Sequence, residues 1–249
     1  MNMAELSGLT GLNPKVIQVL NPYCQDMIAI HGENLKSIIL YGSATGEDFV
    51  SKRSNVNLMI VLGEVTQASL KNSLKAVAKG RKRGIVAPLF LSEEHIRRSA
   101  DVFPIEFLEI QENHVVLYGD DPFESLEIDR SNIRLQCEHE LKGKLIRVRQ
   151  GYLERGLLKK NIASLLTESL TSFIPVFRNM LRLVGEQLPK RRQDVIEKTA
   201  ERFDVSPDPF VKILRLKEGM KVPDARAVDG IFADYLTELD KLAIAIDEL

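Results

Sequence analysis

Tryptophan is absent, and the two cysteines, Cys24 and Cys137, lie far apart in the sequence. That excludes a disulfide framework and a thiolate metal motif by spacing, and makes a reduced, cytoplasmic setting the expectation. The four histidines are dispersed, and Cys137-Glu138-His139 matches no metal spacing. Charge of one sign is also missing: 34 Lys and Arg face 35 Asp and Glu, so no global basic field advertises nucleic acid, and none is expected as a partner. No apolar run approaches the roughly 18 residues that suggest a membrane span. Residues 1–12 have neither a basic n-region nor a long apolar h-region, so no signal peptide is read there. Low-complexity stretches and short internal repeats are lacking as well.

What is present belongs to an ordinary globular chain. At 249 residues, 44% apolar and 28% charged, it suits one large domain or two modest ones. Asn13-Pro14 marks a helix start, with proline in the first turn, and His31-Gly32 its end. Strands are expected at 37–41, 55–62, 85–91, 104–110 and 114–118, a helix at 66–79, and a short helix from Ser92, which can cap it. Gly119-Asp-Asp-Pro122 is a turn. From about residue 129 the pattern changes to helical stripes. Ile133, Cys137, Leu141, Leu145, Val148 and Tyr152 form the first, so Cys137 is expected in a core. Four more helices follow, with Pro175 a kink in the second and Val228, Ile231, Phe232, Tyr235, Leu239, Leu242 and Ile246 facing inward in the last. Strands first and helices afterwards give an α+β chain: residues 1–128 a mixed sheet with flanking helices, and residues 129–249 an all-α helical bundle.

Two stretches organise the first part. The apolar run 37–41 ends in Gly42-Ser43, where a glycine lets the backbone turn sharply and approach a ligand closely. A second apolar run, about a dozen residues later, opens with Asn55 and Asn57, which share a strand face because they are two apart. A strand, a Gly-Ser turn, a spacer and a strand with two same-face polar residues resembles the nucleotidyltransferase fold superfamily, which includes kanamycin nucleotidyltransferase and DNA polymerase β. The resemblance covers roughly residues 14–118 by motif, and the helical tail by architecture alone.

The resemblance implies that Gly42 and Ser43 hold nucleotide phosphates, and that the positions of Asn55 and Asn57 carry the Asp pair that holds catalytic Mg²⁺. Here both are asparagine. An amide oxygen brings no charge, and Mg²⁺ needs anionic oxygens beside the triphosphate. A unit charge pair near 4 Å is worth roughly 4 kcal/mol gross at an effective dielectric of about 20, and a divalent ion about doubles it. Glu47 and Asp48 lie on the loop, out of register with the strand pair. The family often adds a third carboxylate on a later strand. Glu106 and Glu109, read on a strand at 104–110, would lie on opposite faces, and Glu106 is the choice because Phe103, Ile105 and Phe107 would then form the core side. Its alternative is a solubilising edge charge.

The basic cluster Lys79-Gly-Arg-Lys-Arg83 reads as a solvated helix end, with phosphate or RNA contact the alternative. Arg134, Lys144, Arg147 and Arg149 read as a mainly solvated face of the first tail helix, with one arginine able to reach a ligand; Arg191-Arg192 is ambiguous. The expectation is a nucleotidyltransferase-like protein of bacterial type that has lost catalysis, a pseudoenzyme binding a nucleotide or a partner protein, with no cofactor. The alternatives are an active enzyme that moves a nucleoside monophosphate to a small-molecule or protein hydroxyl with Mg²⁺, and a structural protein whose helical tail forms a homo-oligomer or partner surface.

Overall fold

The strand Leu35–Tyr41 (β1) is buried on both sides, and the first part of the protein is assembled around it. The computed structural model describes residues 6–45 and 55–249. The chain divides into two units, Met1–Ile128 and Asp129–Leu249.

In the first unit, β1 pairs antiparallel with Asn57–Leu62 (β2) on one side and with His114–Gly119 (β4) on the other. Leu89–Ser92 (β3) adds to β2 in parallel, so the sheet order is β3-β2-β1-β4. A parallel pair needs a crossover, and Gln67–Arg81 (α2) supplies it. Thr66 and Ser69 close that helix with a reciprocal capping box.

Period-two alternation divides the sheet's side chains between two cores. Ile38, Leu40, Leu58, Ile60 and Leu62 pack with Val16, Leu20, Tyr23 and Met27 of the helix Pro14–His31 (α1). Ile39, Met59 and Val61 pack on the other face with Ile96 of Glu93–Arg98 (α3) and with Phe107 and Ile110 of Pro104–Glu112 (α4). Burying each such aliphatic side chain is worth about 1.5–3 kcal/mol. The third strand is shorter than its apolar run. Val56 and Ile85 form an isolated parallel bridge, and regular pairing resumes at Leu89, after Pro88, which cannot donate to a ladder.

One element differs in kind from the sequence expectation. Residues 104–110 are not a strand but lie in α4. Pro104 stands at the first helical position, where its missing N–H costs nothing. The buried residues Pro104, Phe107 and Ile110 recur at three, and the alternation of Ile105 with Phe107 is a coincidence of a short run. Glu106 and Glu109 are therefore on one exposed helix face, not on opposite faces of a strand.

The second unit is helical throughout its regular structure. Arg130–Arg155 (α5) and Lys159–Leu183 (α6) are followed by Arg192–Arg202 (α7), Asp208–Lys217 (α8) and Ala225–Asp247 (α9). Asp129 caps α5, accepting from Ser131 N at 2.7 Å, and Asp224 caps α9, accepting from Ala227 N at 2.9 Å. Helix α6 is the central one, packing against the other four. It runs on through Pro175, and the Asn179 amide donates to the Pro175 carbonyl at 3.0 Å. Phe173, Phe177, Phe210 and Tyr235 form an aromatic cluster with ring centroids 5.4–6.2 Å apart. The buried Glu238 carboxylate accepts from Ser206 N and from Lys241, both at 2.9 Å, tying α9 to the start of α8. Every predicted inward residue of α9, from Val228 to Ile246, is buried. Helix α7 starts three residues beyond Leu188-Pro189, because the Pro189 carbonyl accepts from Arg178 of α6 instead of opening a helix.

Candidate functional site: the mouth of the four-stranded sheet

The candidate site is built where β1 ends. Tyr41 is in register with Asn57 of β2 and with His114 of β4, so three strands present their ends together. Gly42 then takes φ +77°, a conformation that side chains with a Cβ rarely adopt. Its N–H donates to the Asn113 carbonyl at 3.1 Å, and a single 3₁₀ turn covers Gly42–Thr45. Thr45 Oγ1 closes that turn by donating to the Gly42 carbonyl at 2.8 Å. Ser43 is exposed, and its hydroxyl has no hydrogen-bond partner among the described residues.

Asn57 lies directly beside this turn. A Cβ placed on Gly42 would come within 3.2 Å of the Asn57 amide nitrogen, a tight contact that adds to the conformational preference for glycine. Asn55 is exposed and Asn57 half-buried, while Val56 between them belongs to the α1 core. Asn55 and Asn57 therefore fall on the α4 side of the sheet, in line with Met59 and Val61. Neither carboxamide has a hydrogen-bond partner among the described residues. Burial holds the Tyr41 phenol above its ordinary value, so this neighbour stays neutral.

The strand beside β2 brings no acid. β3 reads Leu-Phe-Leu-Ser, and the bridge before it is made by Ile85. Glu106, the expected third carboxylate, is in the first turn of α4, on a helix packed over the sheet, not on a strand next to β2. The geometry that recommended it is gone. Among the described residues, no group of three His, Cys, Asp or Glu side chains could hold a metal ion. Glu47 and Asp48 lie outside the described residues.

Sequence reasoning missed His114 and Asp121. The His114 Nδ1 lies 3.0 Å from the Ile110 carbonyl and 3.1 Å from that of Gln111, and its Nε2 lies 2.9 Å from Asp121 Oδ2. Carbonyls and carboxylates only accept, so both ring nitrogens are donors when all these bonds are made. The other Asp121 oxygen accepts from Phe123 N at 2.9 Å, and the Phe123 ring packs on His114 at 5.5 Å. The pair latches the start of β4 to the turn after it. The visible signal was the acid seven residues downstream, inside a strong turn motif. The basic cluster after α2 is elsewhere: Lys79 pairs with Asp26 at 2.9 Å, and the rest continues a helix C-terminus, where cations suit the dipole.

No protein-family profile matches the chain, and no curated protein matches it in sequence. Among solved structures, the chain is similar to a spectinomycin adenyltransferase AAD(9) from Enterococcus faecialis, crystallised with ATP and spectinomycin. The identity is 13%, the alignment covers 91% of this chain and 97% of that one, and the TM-score is 0.48, below the level at which a shared fold is established. No helix among the described residues is long and apolar enough to cross a membrane.

Proposed function

We propose that the chain is a nucleotidyltransferase-like protein that has lost nucleotidyl transfer, and that its sheet mouth binds a nucleotide without a metal. The observation that carries this is the Asn57 carboxamide set against the Gly42 turn, at the head of the strand antiparallel to β1. In the resembling family that place holds a carboxylate. The turn has the shape such a site needs: Gly42 takes a positive φ, and the Ser43 hydroxyl has no hydrogen-bond partner among the described residues. Backbone N–H groups and a hydroxyl attract a phosphate, but two amides do not neutralise Mg²⁺.

The protein is then a binding module with an enzyme's topology, a pseudoenzyme. The Cys24 and Cys137 thiols are buried, and burial pushes both up to about 12, so neither is a reactive thiolate. Calorimetry with a panel of nucleoside triphosphates, with and without Mg²⁺, tests the binding. Saturable binding that is indifferent to Mg²⁺ is expected. Transfer from α-labelled triphosphates onto small molecules or proteins should be absent. Mg²⁺-dependent labelling that is lost in Gly42→Asp would overturn the proposal.

A further inference from the structure

The helical unit carries a cavity of about 260 Å³ lined by α5 and α6, just under the roughly 300 Å³ at which drug-sized ligand pockets begin, so it suits only a small ligand. Its lining includes Lys144, Arg147 and Arg155 from α5, and Leu165, Glu168 and Ser172 from α6. The α5 residues recur at three and eight, so they share one helix face with Gly151 between them. A Cβ on Gly151 would come within 2.7 Å of the Leu165 side chain, so α5 and α6 are closely packed there.

Charge is left over in this cavity. Lys144 is matched by Glu140 at 2.9 Å. Arg155 is matched by Glu168 at 3.2 Å, and Glu168 also accepts from Ser164 at 2.7 Å. Arg147 is exposed and has no ion pair or hydrogen bond among the described residues. Its neighbour Arg149, by contrast, is spent on Asp240, with contacts of 2.6 and 2.8 Å. The hydroxyl protons on the α6 side are committed: Ser169 donates to the Leu166 carbonyl at 2.9 Å, and Ser172 to the Ser169 carbonyl at 2.7 Å. The Ser172 oxygen therefore remains as an acceptor.

One unmatched guanidinium, two flanking cations held only by solvent-accessible ion pairs, a hydroxyl acceptor and an apolar wall together select an anion that also carries a hydroxyl. We propose that this cavity binds a small phosphate monoester. Its three peripheral oxygens meet Arg147, with Lys144 and Arg155 to either side. Its hydroxylated remainder donates to Ser172 and lies along Leu165. Lys144 and Arg155 join Arg147 by turning from Glu140 and Glu168, since solvent-accessible ion pairs are individually weak, and three cations then face the three oxygens of a phosphate against the two of a carboxylate. The site lies wholly within the second unit and does not depend on what the sheet mouth does.

The test is calorimetric titration of the full chain with glycerol 3-phosphate at constant ionic strength, with glycerate as the carboxylate counterpart. Saturable binding of glycerol 3-phosphate with Kd on the order of 1 mM or tighter is expected, with glycerate much weaker. Arg147→Gln, a change at an exposed and unpaired position, should weaken binding about tenfold or more, as loss of a charged hydrogen bond does. Arg149→Gln, on the same helix but outside the cavity, should leave it unchanged. Absence of saturable binding, equal binding of glycerate, or an Arg147→Gln affinity equal to the parent's would each overturn the proposal.

Discussion

Placing two carboxylates at Asn55 and Asn57 is the sharpest perturbation that the sheet mouth allows. Asn→Asp hardly changes shape, and the Asn55 and Asn57 amides have no hydrogen-bond partner among the described residues, so the double variant Asn55→Asp with Asn57→Asp should fold. Two residues apart on one strand face, the new carboxylates stand about 6.6 Å apart. Their repulsion is then about 0.6 kcal/mol at the dielectric of water and about 2.5 kcal/mol at an effective value of 20. Asn57 is half-buried and Asn55 exposed, which places the cost between those limits. A divalent ion bridging the pair removes the repulsion and adds binding energy. With 10 mM Mg²⁺ and a Kd near 1 mM, the gain is about 1.4 kcal/mol, or a rise of about 3–6 °C in melting temperature. The assay is thermal unfolding of parent and variant with and without Mg²⁺ or Mn²⁺. The variant should melt below the parent without metal and recover with it, while the parent should not respond. Equal responses would mean that Asn55 and Asn57 do not face a common metal-sized space, and the nucleotidyltransferase-like assignment would lose its main support.

Other perturbations address single links in the chain of reasoning. Gly42→Ala forces a Cβ into a left-handed backbone and against the Asn57 amide, so denaturant melts should show a loss of about 1–2 kcal/mol; an unchanged midpoint would show that the turn relaxes freely. Leu141→Ala and Leu239→Ala each remove a fully buried side chain of the helical unit and should cost about 2–5 kcal/mol by the same measurement. His31 sits 2.9 Å from Ser73 Oγ at the end of α1, and burial lowers its pKa from 6.5. The unfolded chain therefore binds the extra proton first as pH falls. The contribution of the neutral ring is complete above 6.5 and is lost as pH falls from there through the folded value. His31→Gln should flatten the pH dependence of the urea midpoint in that window, and an unchanged slope would assign it to other groups.

The elements that the sequence made legible are those whose punctuation agrees with their periodicity. Asn13-Pro14 and His31-Gly32 bracket α1 at both ends, and Ser92 caps α3 by accepting from His95 N. The long stripes of α5 and α9 extend over several turns, which separates a period of 3.6 from one of 2. Residues 104–110 failed on both counts. Ile-Glu-Phe-Leu-Glu-Ile is too short for its period to be decided, and Pro104 suits a helix start, a signal that the alternation of Ile105 and Phe107 outweighed. The site suffered from the same misreading, because Glu106 was chosen by strand parity and the chain there has none. The Gly42 turn was legible because its requirement is local. The His114–Asp121 latch was not, since Nδ1 is satisfied by backbone carbonyls of α4, which the sequence reading had made a strand.

The sheet mouth holds its shape without charged side chains at Asn55 and Asn57. Nothing described around Asn55 and Asn57 depends on a carboxylate. The register of β1 with β2 runs from Leu35 to Tyr41 on backbone hydrogen bonds, and both faces are filled by apolar side chains up to Met59. The turn is fixed by the Gly42 N–H on Asn113 and by Thr45 on Gly42. An Asp pair at the same place would repel across the strand end whenever a metal is absent, so asparagine is the cheaper occupant for the apo fold. Selection for folding alone therefore favours the neutral pair, and only selection for metal-dependent transfer opposes it. On the proposed reading of the sheet mouth, a turn and register that need no carboxylate, with amides at Asn55 and Asn57, are what the first pressure alone would leave.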